Sequence, residues 1–210
     1  MSITLILVII TSLISYQAFN NRDLFSKLKH HPYSSHKNKE WYRLLTSGFV
    51  HGDFVHLLFN MYVLYNFGEL IENVFISIHG EMMGRSAYLI MYIGSVVISS
   101  IPSQMKHKDN PYYSAIGASG AVSAILFAYV LFAPWSWLEL FFVIPIPAIV
   151  FAVLYLAYSS WAINNAKDNI GHSAHFTGAI AGIILTIAIY PEIIPLFAER
   201  LMDVQGPPRH

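Results

Sequence analysis

Long apolar runs alternate with short polar stretches along this chain, and this pattern predicts helices that cross a membrane. A transmembrane helix needs about 20 mostly apolar residues. Six stretches come near this length, at about 3–19, 53–75, 87–102, 115–133, 138–161 and 172–194. None shows a strict alternation of apolar and polar positions, and hydrocarbon admits only helices and closed barrels. We therefore expect an all-α, polytopic bundle of six transmembrane helices.

Composition supports this interpretation. Hydrophobic residues make up 55% of the chain, charged residues only 11%, and the mean hydropathy is +0.51. A soluble domain carries about 25% charged residues. Lys+Arg and Asp+Glu balance at 12 each, so no net field attracts nucleic acid. The chain has no cysteine, which excludes disulfides, thiol catalysis and thiolate metal sites. We expect an integral membrane protein whose main surroundings are the lipid bilayer, with no nucleic-acid partner.

We interpret residues 1–196 as one membrane-embedded domain and residues 197–210 as a short, disordered tail. The long first loop, 20–52, is basic and carries Trp41 and Tyr42 beside Arg43, a combination that suits a partly interfacial structure. The first apolar run lacks the basic region and cleavage site of a signal peptide. We therefore expect it to be retained as a span.

Loop charges bear on the orientation of the chain. If the N-terminus is cytoplasmic, the outer loops hold nine of the Lys and Arg residues and the inner segments three. This is the reverse of the positive-inside rule. Charge counting alone therefore favours an external N-terminus.

A candidate nucleophile stands at the start of the fourth apolar run, in Gly117-Ala118-Ser119-Gly120. The free N–H groups and positive dipole at a helix N-terminus favour a developing oxyanion. Small residues in membrane helices also serve tight packing alone. Ser119 is therefore a candidate that needs a partner.

His175 is the candidate partner in the sixth run. His175, Gly178 and Gly182 fall at i, i+3 and i+7, so they share one stripe of a helix, and Gly178-x-x-x-Gly182 permits close contact with another helix. If that helix is the fourth span, the imidazole comes within reach of Ser119, and the two form the minimum pair for nucleophilic acyl transfer. His172, three residues earlier, competes for the role but lies nearer the loop and outside the glycine stripe.

The second span carries further polar residues. His56 and Asn60 are four apart and share a helical face, His51 precedes them, and Gly68 and Glu72 follow, again four apart. Ionisable residues inside a membrane usually face the bundle interior. The alternative is that they are scattered polar residues in a mediocre span.

Metal chemistry has little support. The chain has ten histidines but no His-Glu-x-x-His motif, and no pair of intramembrane aspartates suggests an aspartyl mechanism. We expect neither a metal nor a cofactor.

Taken in order, these motifs resemble the rhomboid family of intramembrane serine proteases. The resemblance covers all six predicted spans and rests on Tyr42-Arg43, His51, His56-x-x-x-Asn60, Gly68-x-x-x-Glu72, Gly117-x-Ser119-Gly120 and Ala174-His175-x-x-Gly178-x-x-x-Gly182.

The resemblance implies a bundle with a cytoplasmic N-terminus and an active site open to the outside. It implies Ser119 as nucleophile and His175 as general base, without a carboxylate third member. His56 and Asn60 would stabilise the oxyanion together with the Ser119 N–H. Gly117, Gly120, His51, Arg43, Glu72, Gly178 and Gly182 would support the site, with Arg43 and Glu72 bracing the first loop. Substrates would be single-span membrane proteins cut in or near the transmembrane segment.

Two positions depart from the family pattern. The family's Trp-Arg pair is split here by Tyr42, between Trp41 and Arg43. Some members have a tyrosine four residues after the nucleophile that stacks on the histidine, whereas this chain has Ser123. The imidazole must therefore be positioned in another way.

Two alternatives stay open at this point. One is a proteolytically inactive rhomboid-like protein that binds transmembrane helices, and the other is a small transporter that uses histidines as proton relays. The compact six-span form suggests a bacterial plasma membrane. The sequence does not indicate an oligomeric state or a cleavage motif.

Overall fold

The computed structural model describes residues 1–140, 143–166, 168 and 170–204. Its helices and strands in chain order are α1 (Ile3–Asn20), α2 (Arg22–Leu28), α3 (Pro32–Lys37), α4 (Arg43–Thr46), the 3₁₀ turn Ser47–Phe49, α5 (Phe54–His79), α6 (Glu81–His107), α7 (Ser119–Phe132), β1 (Trp137–Leu140), β2 (Ile144–Pro147), α8 (Ala148–Asn165), α9 (His172–Ile189) and α10 (Ile193–Met202).

The helical membrane fold expected from the sequence is confirmed. Within the described part of the chain, α1, α5, α6, α8 and α9 are long and apolar enough to cross a membrane. The fourth predicted span corresponds to α7, which has only 14 residues. The first loop, between α1 and α5, is not a plain loop, since it folds into α2, α3, α4 and the 3₁₀ turn.

The fifth predicted span, 138–161, was wrong at its start. Strands β1 and β2 pair antiparallel, with Leu138 opposite Ile146, and α8 begins only at Ala148. Pro145 and Pro147 explain the difference, because proline has no N–H to donate within a helix and its ring clashes with the preceding turn.

The sixth predicted span, 172–194, was too long. Helix α9 ends at Ile189, just before Pro191, and the chain starts a new helix at Ile193. The tail was expected to be disordered from residue 197, but it is helical as far as Met202. Trp135 Nε1 donates to the Leu201 carbonyl at 3.1 Å and so holds this helix. Residues 205–210, also expected to be disordered, lie outside the described residues.

Helix α7 lies at the centre of the bundle, with almost every side chain buried against α5, α6 and α9. Its contact with α9 is the tightest, because a Cβ at Gly178 would lie 2.1 Å from the Gly120 carbonyl oxygen. A Cβ at Gly182 would lie 2.2 Å from the oxygen of Ala124. The glycine stripe of α9 therefore packs directly against the α7 backbone, as its spacing predicts.

Candidate active site

The first loop holds the chain that leads into α7. Ala115 exchanges two backbone hydrogen bonds of 3.0 Å with His30, and the Gly117 N–H donates to the Ser47 carbonyl at 2.9 Å. Ser119 is the first residue of α7. Its N–H therefore has no carbonyl acceptor within the same helix. The nucleophile candidate thus lies at a helix start fixed from outside the helix.

His51 adds a fourth hydrogen bond to the same segment. The Ala118 N–H donates to His51 Nε2 at 3.3 Å, and His51 Nδ1 lies 2.9 Å from Ser15 Oγ. The Ser15 hydroxyl donates to the Phe49 carbonyl, so Nδ1 carries the ring proton and donates to Ser15. His51 therefore connects α1 to the residue just before Ser119.

His51 is fully buried. Burial lowers its pKa from the ordinary 6.5 to about 3, and the neighbouring His56 adds to the lowering. The neutral ring is the form that can both donate to Ser15 and accept from Ala118. His51 therefore holds the backbone just before Ser119.

Gly117 needs to be glycine on two grounds. Its φ is +108°, a region that residues with a Cβ rarely adopt. A Cβ there would also lie 2.9 Å from Cε1 of His56. The His56 ring thus lies against the chain two residues before Ser119, and its edge faces the His51 ring with centroids 5.0 Å apart.

Helix α5 presents His56 and Asn60 on one face. Asp53 caps the helix by accepting from the His56 N–H at 2.8 Å, which places His56 in the first turn. Asn60 is buried, and its Nδ2 donates to the His56 carbonyl at 2.9 Å. A carboxamide nitrogen has two N–H groups, so one stays available for an oxyanion.

His175 lies in the first turn of α9. Gly178 lies three residues after His175, and Gly120 lies directly after Ser119. Because Gly178 contacts the Gly120 backbone, His175 and Ser119 lie at the same end of two touching helices. The hydrogen bonds among the described residues do not include one between Ser119 and His175. Catalytic hydrogen bonds are often long in unliganded enzymes and tighten with substrate.

Sequence reasoning missed Tyr155 of α8. Its ring stacks on the His175 ring, with centroids 6.1 Å apart and planes 25° apart, and its hydroxyl lies 2.6 Å from Ser123 Oγ. The absence of a tyrosine at position 123 was the one sequence signal that a replacement was needed. It could not point to Tyr155, because spacing within one helix does not say which side chain of a neighbouring helix meets His175.

His172 has a different partner. It is buried, and its Nε2 lies 3.0 and 3.2 Å from the two carboxylate oxygens of Asp168. Hydrogen bonds from the Ile170 N–H and from His172 hold the pKa of Asp168 below its usual range. Because the His172 ring nitrogen is engaged by Asp168, His175 stays the better candidate for the base.

Arg43 connects several parts of the first loop. It is buried, donates to the carbonyls of Ser26 and Lys29 at 2.7 and 3.0 Å, and pairs with Glu40. That contact holds the pKa of Glu40 below its usual value.

The expectation that Glu72 also braces the first loop was wrong. Its buried carboxylate accepts from the backbone N–H groups of Ile3 and Thr4, each at 2.8 Å, and so caps the start of α1. Glu72 is 18 residues beyond the start of α5, which is about 27 Å along the helix axis. It therefore lies at the opposite end of the bundle from the first turn of α5. Gly68 lies near this same end of α5 and allows close packing there, since a Cβ at this position would lie 2.5 Å from the Tyr88 hydroxyl.

A small polar cavity of about 40 Å³ adjoins the nucleophile candidate. Its lining includes Ser119, Gly120, Ser99 and Ser103, and it is large enough for water. Among the residues that the structure describes, no three His, Asp or Glu side chains form a metal-binding group. The site therefore offers a hydroxyl, imidazoles, amide donors and room for water.

Comparison with known proteins gives a consistent result. The Rhomboid domain family model matches residues 38–192. The chain is 31% identical over 155 residues to RHOMBOID-like protein 12, mitochondrial, of Arabidopsis thaliana, covering 70% of this chain and 46% of that protein. It is 31% identical over 165 residues to the rhomboid protease GluP of Bacillus subtilis, covering 78% of this chain and 29% of that protein.

The human presenilin-associated rhomboid-like protein, mitochondrial, is 30% identical over 146 residues, covering 67% of this chain and 36% of that protein. The chain thus spans less than half the length of these three relatives. The match to the family model, at residues 38–192, includes the segments that build the candidate site.

Proposed function

Because this chain belongs to the rhomboid family, we propose that it is an intramembrane serine endopeptidase that uses Ser119 and His175. Its membership and its protease-named relatives support proteolysis at the level of the family. The observation that carries the residue assignment is the glycine contact between α7 and α9, which brings the hydroxyl and the imidazole to one end of the bundle.

In the proposed reaction, Ser119 Oγ attacks the scissile carbonyl while His175 accepts the hydroxyl proton. The Ser119 N–H, the second N–H of Asn60 and the ring of His56 stabilise the oxyanion. His175 then protonates the leaving amine, and the acyl-enzyme carries the first half of the substrate. Water from the polar cavity, deprotonated by His175, hydrolyses the ester and regenerates Ser119.

The proposed substrates are single-span membrane proteins, cut in or near their transmembrane segments. A site at the start of a membrane-embedded helix can reach a substrate only from within or beside the bilayer. We propose a bacterial plasma membrane as its location, with the N-terminus on the cytoplasmic side.

The test is reconstitution of the full chain in liposomes with a panel of single-span proteins, with the cut mapped by mass spectrometry. We expect cleavage by the wild type, and none by Ser119→Ala or His175→Asn at equal amounts of folded protein. Ser160→Ala, an exposed serine on α8, is the matched control and should cleave normally. Cleavage by Ser119→Ala at the wild-type rate would overturn the assignment.

An inactive rhomboid-like protein that binds transmembrane helices is the second candidate. Labelling with a fluorophosphonate serine probe separates the two, because it requires an activated hydroxyl but no knowledge of the substrate. Labelling that is lost in both Ser119→Ala and His175→Asn supports the protease. A folded wild type that neither labels nor cleaves supports the binding protein.

A further inference from the structure

We propose that Tyr155 is the positioning residue for His175, and that it links the seating of α8 to the geometry of the catalytic pair. This inference rests on the proposed protease function. It concerns a residue outside the motifs that carry the family resemblance.

The first argument is the stacked pair of rings. Tyr155 and His175 have ring centroids 6.1 Å apart and planes within 25° of parallel, an offset geometry that aromatic pairs prefer. His175 also has His172 at 6.2 Å, but that ring meets it edge-on. Tyr155 therefore packs against the imidazole in an offset stack and restricts its rotation.

The second argument is a chain of hydrogen bonds from Tyr155 to the nucleophile's own backbone. Ser123 Oγ donates its single proton to the Ser119 carbonyl at 2.8 Å. The Tyr155 hydroxyl, 2.6 Å from the same oxygen, must then be the donor in that contact. One side chain thus stacks on the base and bonds, through Ser123, to the residue that carries the nucleophile.

Residue 123 explains why the ring comes from another helix. A serine there is too short to reach His175, but its hydroxyl accepts the one polar group of Tyr155, which would otherwise be desolvated without a partner. Phe127 and Phe151 flank the tyrosine ring, each with its centroid 5.6 Å away. The side chain is therefore fixed at both its ring and its hydroxyl.

The consequence is that α8 completes the site. The opposite face of α8 carries exposed apolar side chains, among them Val153, Leu154 and Trp161, so this helix is held mainly along the face that carries Tyr155. Displacement of α8 would remove both the ring contact with His175 and the hydrogen bond to Ser123. The pair is fully positioned only while α8 is seated against α7 and α9.

The experiment compares Tyr155→Leu, which removes the ring, with Tyr155→Phe, which keeps it. We expect Tyr155→Leu to lower kcat by about tenfold with KM little changed, since the ring positions the base and does not bind substrate. Tyr155→Phe should retain most of the rate. Ser123→Ala should match Tyr155→Phe, and the double variant should be no slower than either, because both remove one shared hydrogen bond.

Trp161→Leu, which removes an exposed aromatic ring from the same helix, is the control and should keep the wild-type kcat. A second readout does not depend on turnover. In ¹³C,¹⁵N-histidine-labelled protein, the imidazole resonances of His175, assigned through His175→Asn, should lose their ring-current shift in Tyr155→Leu. They should not move in Trp161→Leu.

A wild-type kcat in Tyr155→Leu, or His175 resonances that stay in place in that variant, would overturn the inference while the protease assignment stands. A rate loss in Tyr155→Leu that Tyr155→Phe shares in full would also overturn it. If the wild type itself neither cleaves nor labels, the proposed function fails, and the resonances alone decide whether Tyr155 positions His175.

Discussion

At the scale of single residues, the candidate site depends on donors whose hydrogen bonds are partly satisfied within the protein. Asn60 illustrates this arrangement, since one N–H donates to the His56 carbonyl and fixes the amide, while the other is the one that we propose acts on substrate. Such a donor is pre-organised, because the bond to His56 sets its direction before any charge develops.

Asn60→Ala is expected to lower kcat by about 100-fold, the usual effect of removing one oxyanion donor. Asn66→Ala is a closely matched control, because Asn66 donates to the Tyr62 carbonyl one turn earlier on the same helix, at 2.7 Å, and is exposed. That variant should cleave within about twofold of the wild type. Equal effects in the two variants, measured in liposomes, would show that only the helix was disturbed.

At the scale of elements, the sequence predicted what depends on periodic pattern. The glycine stripe of α9 and the shared face of His56 and Asn60 follow from helical spacing, and the structure contains both. The hairpin before α8 was missed because its apolar strands have the same composition as a span. The role expected for Glu72 was wrong because it came from the family resemblance, whereas the helical rise places Glu72 about 27 Å from the start of α5.

The α7–α9 contact should tolerate no added methyl group at Gly178. Gly178→Ala would place a Cβ 2.1 Å from the Gly120 carbonyl oxygen, and backbone cannot yield as a flexible side chain does. We expect a destabilisation of about 1–3 kcal/mol, seen as a lower unfolding midpoint in detergent, and a loss of cleavage because Ser119 and His175 separate.

Gly94→Ala on α6 is the control for that experiment. Its added Cβ would meet only Leu185 Cδ1, at 3.8 Å, an ordinary contact, and alanine is the better helix former. It should unfold at or above the wild-type midpoint. If the two variants unfold alike, the contact between α7 and α9 is looser than the structure indicates.

At the scale of the whole molecule, the first loop acts as a folded frame for the site. Arg43 ties its helices together from within, and four hydrogen bonds, two with His30 and one each with Ser47 and His51, fix the entry to α7. One of its basic residues is therefore internal, and Lys37 pairs with Asp109 at 3.3 Å. Without these two residues, seven basic residues still lie outside against three inside, so the loop charges continue to oppose the orientation that the family implies.

That orientation can be tested with single cysteines, since the chain has none of its own. Tyr112 and Met82 are both highly exposed and lie near opposite ends of α6. In intact cells, a membrane-impermeant maleimide should label Tyr112→Cys, and should label Met82→Cys only after permeabilisation. The reverse pattern would place the candidate site on the cytoplasmic side.

The shortness of α7 bears on which bond of a substrate can be reached. Fourteen residues span about 21 Å, whereas a bilayer's hydrocarbon core is about 30 Å thick. If the C-terminal end of α7 meets one lipid interface, Ser119 lies about 9 Å beneath the other. The length of this helix then sets the depth of the nucleophile in the bilayer. The substrate helix must unwind around the scissile bond at that depth before the bond can be cut. Lipids with longer acyl chains would move the reachable bond closer to the middle of the substrate's span.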